Sequence, residues 1–252
     1  MAMIEDTHVL VVAGSDSSGG AGIARDIETI AAFGLRACLS VTALTVQTHE
    51  RIERIELAPP DLVTAQMRAA LGANRIGAVK IGMLGSGGTV KAVAATLAEH
   101  PHIPVVLDPV LAATSGRPLL PERDIVLMRQ RLMPLCTLVT PNLPELALLT
   151  GSAIPSDRAD VEAQARRLLE TGCVGVLVKG GHADDAEAAD LLVRPGRPAQ
   201  WFKAPRVASG LRGTGCMLAS AIAAGLADGA SLEDGVRQAK AHVLQRLREA
   251  AA

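Results

Sequence analysis

The feature that most constrains this chain is an alternation. Short apolar runs at His8–Ala13, Ala78–Ile81, Pro104–Leu107, Thr137–Thr140 and Gly175–Val178 are separated by stretches whose apolar residues recur at helical spacing. Such runs read as strands buried on both faces. Leu35–Leu44 reads as a further strand region, and Ile52–Leu57 as a short edge strand. Helical spacing marks Gly22–Phe33, Asp61–Leu71, Leu143–Leu149 and Arg158–Thr171, with a helix expected over Glu122–Leu132. Val90, Val93, Ala94 and Leu97 share one helix face, as do Leu232, Val236, Ala239, Val243 and Leu247. The alternation predicts an α/β fold with a mostly parallel central sheet flanked by helices on both faces. Asp190–Arg194 and Gln200–Lys203 add a small β-hairpin near 190–203. No repeat, long linker or low-complexity tract interrupts the pattern, so residues 1–252 read as a single domain.

Composition narrows the function classes. Phe33, Trp201 and Phe202 are the only aromatic residues, which argues against base-stacking platforms. The 25 basic and 26 acidic residues nearly cancel, so no nucleic-acid partner is expected. Cys38, Cys136, Cys173 and Cys216 form no Cys-x-x-Cys pair, which disfavours a zinc site and fits a reducing compartment. No apolar run approaches the about 20 residues of a membrane span. The apolar run after Glu5 and Asp6 is too short for a signal-peptide core. A cytoplasmic protein without membrane partners is the expectation.

In an open α/β sheet, ligands bind beyond the carboxyl ends of the strands. The residues there are Gly14–Gly20, Gly82-Met83, Asp108-Pro109, Asn142 to Glu145 and Lys179 to His182. Nearly all are glycine, acid, amide or lysine. Each also has a plainer reading. The first loop is a phosphate cradle or a tight turn opening a helix, and it matches neither the P-loop nor Gly-x-Gly-x-x-Gly. Gly213-Thr214-Gly215-Cys216 is an anion site at a helix N-terminus, whose field would lower the Cys216 pKa, or it holds a buried structural cysteine. Asn142 and Glu145 are a magnesium-organising pair or a helix cap. Asp108 faces phosphates through magnesium or caps a turn, and Lys179 offsets nucleotide charge or is solvated. His49, His100, His102 and His242 read as surface residues.

Taken together, AGSDSSGGAGI (13–23), TALTVQT (42–48), KIGML (80–84), VLDPV (106–110), SGRPLL (115–120), TPNLPE (140–145), KGGH (179–182) and GTGC (213–216) resemble the ribokinase-like superfamily of small-molecule kinases. Within it the chain is most similar to the hydroxymethylpyrimidine/phosphomethylpyrimidine kinases, from about Val9 to Leu247. The resemblance implies a ribokinase-like fold and a homodimer. It implies ATP- and Mg2+-dependent phosphorylation of 4-amino-5-hydroxymethyl-2-methylpyrimidine, its monophosphate or both, in thiamine biosynthesis. It places Gly14, Asp26, Gln47, Met83 and Val110 around the substrate, with Asp26 and Gln47 on the aminopyrimidine edge. Gly213, Thr214 and Gly215 would form the anion hole, with Cys216 in the base position. Asp108, Asn142 and Lys179 would serve the nucleotide, and Glu145 with Asp108 the magnesium.

The chain departs from the family pattern at Ala24 (usually Gln), Thr114 (usually Lys) and Arg212 (usually His). Two other readings stand beside this one. One is a pyridoxal or pyridoxine kinase, whose ring also carries a hydroxymethyl group. The other is a catalytically impaired homologue that binds the pyrimidine without turnover.

Overall fold

The computed structural model describes residues 7–113, 116–180 and 187–251. Thr114, Ser115, Gly181 and His182 lie outside the described residues. The strands are β1 (His8–Asp16), β2 (Arg36–Gln47), β3 (Ile52–Leu57), β4 (Ile76–Ile81), β5 (Val105–Leu107), β6 (Leu138–Val139), β7 (Val176–Val178), β8 (Glu187–Val193) and β9 (Gln200–Pro205). Among the described residues they form one sheet in the order β3-β2-β1-β4-β5-β6-β7-β8-β9. The six strands from β2 to β7 in that order run parallel, while β3, β8 and β9 each pair antiparallel with their neighbours. The expected hairpin is therefore β8–β9, longer than its sequence signal and joined to the sheet edge.

The helices are α1 (Gly22–Ala32), α2 (Pro60–Ala73), α3 (Gly87–Ala98), α4 (Glu122–Leu127), α5 (Leu143–Thr150), α6 (Arg158–Leu169), α7 (Thr214–Ala227) and α8 (Leu232–Ala251). The single helix expected over Glu122–Leu132 is instead α4 followed by a π-helical turn at Met128–Leu132. Strand residues alternate between two cores, because successive side chains leave a strand on opposite faces. Leu10, Val12, Val79, Ile81 and Leu107 enter the core that includes residues of α2, α3 and α6. Val9, Val11, Ala78, Val106 and Leu177 enter the core that includes residues of α1, α7 and α8. Nine residues of α7 are buried, nearly all Ala or aliphatic, so a helix this apolar sits inside the molecule.

The chain order determines where a ligand fits. β1 leads through α1 to β2 on one side, and the sheet then resumes on the other side of β1 with β4. That reversal opens a crevice beyond the ends of β1 and β4. No helix among the described residues is long and apolar enough to cross a membrane.

Candidate active site

The crevice is a cavity of about 820 Å³ lined by residues at or just past the carboxyl ends of β1, β2, β4, β5, β6 and β7, by the start of α7 and by parts of β8, β9 and α8. That volume suits a small ligand or two adjoining ones. Gly14, Gln47, Met83 and Val110 line one stretch of its wall. Met83 packs with Ala43 and Leu119, and its carbonyl accepts a 2.6 Å hydrogen bond from the Thr42 hydroxyl. The β1–β2 register slips between Ala13 and Gly14, and the pairing then continues in the shifted register from Gly14 to Asp16.

The first loop is held residue by residue. Ser15 O accepts from Thr45 Oγ1 at 2.9 Å. The Ser17 hydroxyl donates to Gln47 O and accepts from Gln47 N, both at 2.9 Å. Asp16 Oδ1 accepts from Ser18 N at 2.8 Å and from Ser18 Oγ at 2.7 Å, a side chain-to-backbone turn of the Asx kind. Arg212, immediately before α7, reaches across to donate to Ser18 Oγ, Thr48 O and His49 Nδ1 at 3.2–3.3 Å. His49 is exposed, as expected, and it also borders the cavity in contact with Arg212.

The start of α7 faces the same cavity. Gly213 caps it in the left-handed region at φ +75°, where a Cβ would also come within 2.5 Å of Gly20 O. Glycine therefore allows the two glycine-rich loops to touch. The first intrahelical bond here is Met217 N to Gly213 O at 2.9 Å. The N–H groups of Thr214, Gly215 and Cys216 have no partner within the helix and carry its positive dipole end.

Beside them stands a charged cluster. Lys179 Nζ lies 2.6 Å from Asp108 Oδ1 and 3.8 Å from Glu145 Oε2. The same ammonium sits where a Cβ on Gly215 would come within 3.2 Å of it. Burial opposes the Lys179 charge, but Asp108 and Glu145 keep its pKa above the ordinary value. Burial likewise opposes ionisation of Asp108, yet Lys179 and Lys80 hold its carboxyl below the usual range. Glu145 behaves differently. Burial, reinforced by the Asp108 charge, outweighs Lys179 and pushes its pKa up to about 7. Asn142 and Glu145 do form a reciprocal capping box on α5, each bond 2.8 Å, while both still line the cavity. The cap is therefore present, and capping leaves both residues at the cavity wall.

Two expectations are corrected. Asp26 does not line the cavity: it is fully buried, with both oxygens on Lys80 Nζ at 2.7 and 2.9 Å and Oδ1 also on Ser220 Oγ at 2.7 Å. A buried lysine on the central strand requires a counter-charge, and Asp26 supplies it. The Cys216 thiol is not lowered by the helix field. Burial pushes it up to about 11, against the opposing pull of Lys80.

Lys80 carried no assigned role in the sequence reading, although it stands in KIGML. It is fully buried, reaches the cavity floor, and burial fails to neutralise it because Asp26, Cys216 and Asp108 surround it. The signal was a lone lysine inside the apolar run Ala78–Ile81. Asp190 and Lys240 were also missed. They pair at 2.6 Å, and Asp190 accepts from Gly180 N at 2.9 Å, which anchors the backbone next to Lys179.

A magnesium ion fits the donor chemistry here. Asp108 and Glu145 are oxygen ligands that already share one cation, the Lys179 ammonium. Among the described residues no cluster of three or more acidic, histidine or cysteine side chains exists. An ion held by this pair would therefore take its remaining ligands from water and phosphate, as magnesium does.

The profile of the family described as phosphomethylpyrimidine kinase matches residues 16–252. The chain belongs to the phosphomethylpyrimidine kinase family. A hydroxymethylpyrimidine/phosphomethylpyrimidine kinase of Salmonella typhimurium is 42% identical over 245 residues, 96% of this chain and 91% of that protein. Among solved structures, a phosphomethylpyrimidine kinase from Clostridium difficile is 30% identical, with a TM-score of 0.83 over 96% of this chain and 99% of that one. A pyridoxal kinase from Staphylococcus aureus in complex with AMP-PCP is 28% identical, with a TM-score of 0.88 over 96% of this chain and 88% of that one. The family's fold is thus the ribokinase-like α/β sheet described above.

Proposed function

We propose that this chain transfers a phosphoryl group from ATP to the hydroxymethyl group of 4-amino-5-hydroxymethyl-2-methylpyrimidine, or onto its monophosphate, in thiamine biosynthesis. One observation carries the reading. The residues opening α7, whose N–H groups have no partner within the helix, line the same cavity as the Gly14, Gln47, Met83 and Val110 wall and the Lys179–Asp108 pair. Phosphoryl transfer needs alignment and charge neutralisation above all. Backbone donors at a helix start, aimed at the charge that develops, supply the second.

In this reading Gln47 hydrogen-bonds the aminopyrimidine edge, Met83 and Val110 pack on its face, and Gly14 lets the ring approach the backbone. Asn142 and Lys179 serve the nucleotide phosphates. Asp108 and Glu145 hold magnesium through water, and the ion neutralises phosphate charge when bound. Gly213, Thr214 and Gly215 form the anion hole. Cys216 takes the proton of the hydroxymethyl group. Only the Cys216 thiolate can accept that proton, and burial pushes the thiol up to about 11 in the free protein, so turnover is expected to rise with pH as the thiolate becomes populated. In this reading the enzyme works in the cytoplasm as a homodimer of single-domain subunits, and light scattering checks the dimer.

A second reading has one specific support, the fold match to a pyridoxal kinase, and it is the weaker for its 28% identity against 42%. The deciding experiment measures ADP release from Mg-ATP with hydroxymethylpyrimidine, its monophosphate and pyridoxal in parallel. Turnover of either pyrimidine is expected. Turnover of pyridoxal alone overturns the proposal, and pyrimidine binding without ADP release identifies an impaired homologue.

A further inference from the structure

We propose that Asp16 is a specificity-determining positioning residue: it turns the amide nitrogen of Gln47 toward itself and leaves the Gln47 oxygen to face an acceptor ring that carries an N–H donor. The proposal rests on the acceptor reading above and deepens it.

The geometry begins with what cannot move. The Gln47 main chain is pinned on both its N–H and its carbonyl by the Ser17 hydroxyl. The Asp16 carboxylate is pinned through Oδ1 by two donors of Ser18. That fixes the direction of Oδ2, which is buried and has no hydrogen-bond partner. Arg212 Nη2 stands 3.7 Å from it, beyond hydrogen-bond distance, while Nη1 is engaged with Ser18, Thr48 and His49. The Gln47 side chain lies beside the same carboxylate. Asp16 and Gln47 both border the cavity.

A buried acceptor without a donor is destabilising, so the group beside it is selected for its N–H. A carboxylate can only accept, whereas an amide has an accepting end and a donating end. Asp16 is kept ionised: burial opposes this, but Ser18, Gln47 and Arg212 hold its carboxyl below the ordinary value. An ionised Asp16 therefore attracts the Gln47 nitrogen and repels its oxygen. The oxygen is left for the ligand. A ring bearing an amino group matches it, while a ring bearing an oxygen at that position meets it oxygen to oxygen.

The test is calorimetric binding, without nucleotide, of 4-amino-5-hydroxymethyl-2-methylpyrimidine and its 4-oxo counterpart. The proteins are the wild type, Asp16→Asn and Asp16→Ser. The wild type is expected to prefer the amino ring by about tenfold or more, the scale of one hydrogen bond at a charged site. Asp16→Asn keeps an oxygen for Ser18 but offers an N–H to Gln47, so the amide turns over and the preference moves toward the oxo ring by about tenfold or more. Asp16→Ser keeps a turn-forming hydroxyl and removes Oδ2, so the preference fades without reversing. A merely structural Asp16 would weaken both rings equally. A wild type that binds the two rings alike overturns the inference, as does an unchanged ratio in either folded variant. A wild type that binds neither ring overturns the acceptor reading itself.

Discussion

Two lysine–carboxylate pairs lie under one cavity and do different work. Lys80–Asp26 is sealed, with both side chains at 0% exposure and a third partner in Ser220. Lys179–Asp108 is open, with Lys179 at 13% side-chain exposure and Glu145 close by. The sealed pair ties α1, β4 and α7 together through Asp26, Lys80 and Ser220. The open pair has its cation at the cavity, where an incoming ligand can compete for it. The contrast teaches that a charge near an active site contributes to rigidity or to chemistry according to whether its partners leave it reachable.

The largest expected effect breaks the sealed pair. Lys80→Met strands the Asp26 charge in the core and destabilises by about 3–5 kcal/mol. Thermal unfolding should show Tm falling by about 10 °C, at about 2–4 °C per kcal/mol for a chain of this size. Adding Asp26→Leu should restore much of the loss. If the single variant melts like wild type, the two pairs are not different in kind.

The open pair should give the opposite pattern. Lys179→Ala is expected to lower Tm less than Lys80→Met, because the space the ammonium leaves opens buried Asp108 to the cavity, while kcat drops about 100-fold or more. Steady-state kinetics paired with a melt reads both. Cys216→Ala tests the neighbouring thiol, with kcat expected to fall about 100-fold. Site-resolved alkylation should be slow at neutral pH and climb toward pH about 11, following the raised thiol. Rapid labelling at neutral pH would return Cys216 to the lowered state that its helix position first suggested.

The smallest effect concerns Glu145. Its ordinary pKa is 4.5, and in the folded protein it rises to about 7, burial being the main cause. Between those values the native state holds the proton more tightly than the unfolded chain. This group's stabilisation is therefore complete below pH about 4.5 and lost by pH about 7. Melts across that window should show Tm declining in the wild type and a shallower decline in Glu145→Gln. Identical slopes would mean that Lys179 keeps Glu145 ionised and that the open cluster is as tightly paired as the sealed one.

Much of the architecture was legible because it depends on local pattern. The apolar runs became β1, β4, β5, β6 and β7 with bounds shifted by a few residues, and the helix spacing located α1, α2, α6 and α8. The Asn142–Glu145 spacing foretold the capping box. The motifs converge in space: Gly14, Gln47, Met83, Val110, Asp108, Asn142, Glu145, Lys179 and residues 213–216 all border one cavity. The break in the helix after α4 was not legible, because an i to i+5 turn leaves no periodic signature of its own.

By itself, the sequence determined the strand–helix alternation, the strand ends that carry polar residues and the glycine positions where loops meet. These follow from periodicity and from residue chemistry, which act over a few neighbours. Only the tertiary structure decided which charges are partners. Asp26 and Lys80 are 54 residues apart, and Asp26 and Ser220 are 194 apart. Nothing local to Asp26 says that it answers a lysine and not a ligand. The same holds for Cys216, where the helix dipole argues for a low pKa and burial argues for a high one. The balance depends on how much water the assembled fold removes, a quantity set by every element packed around the thiol.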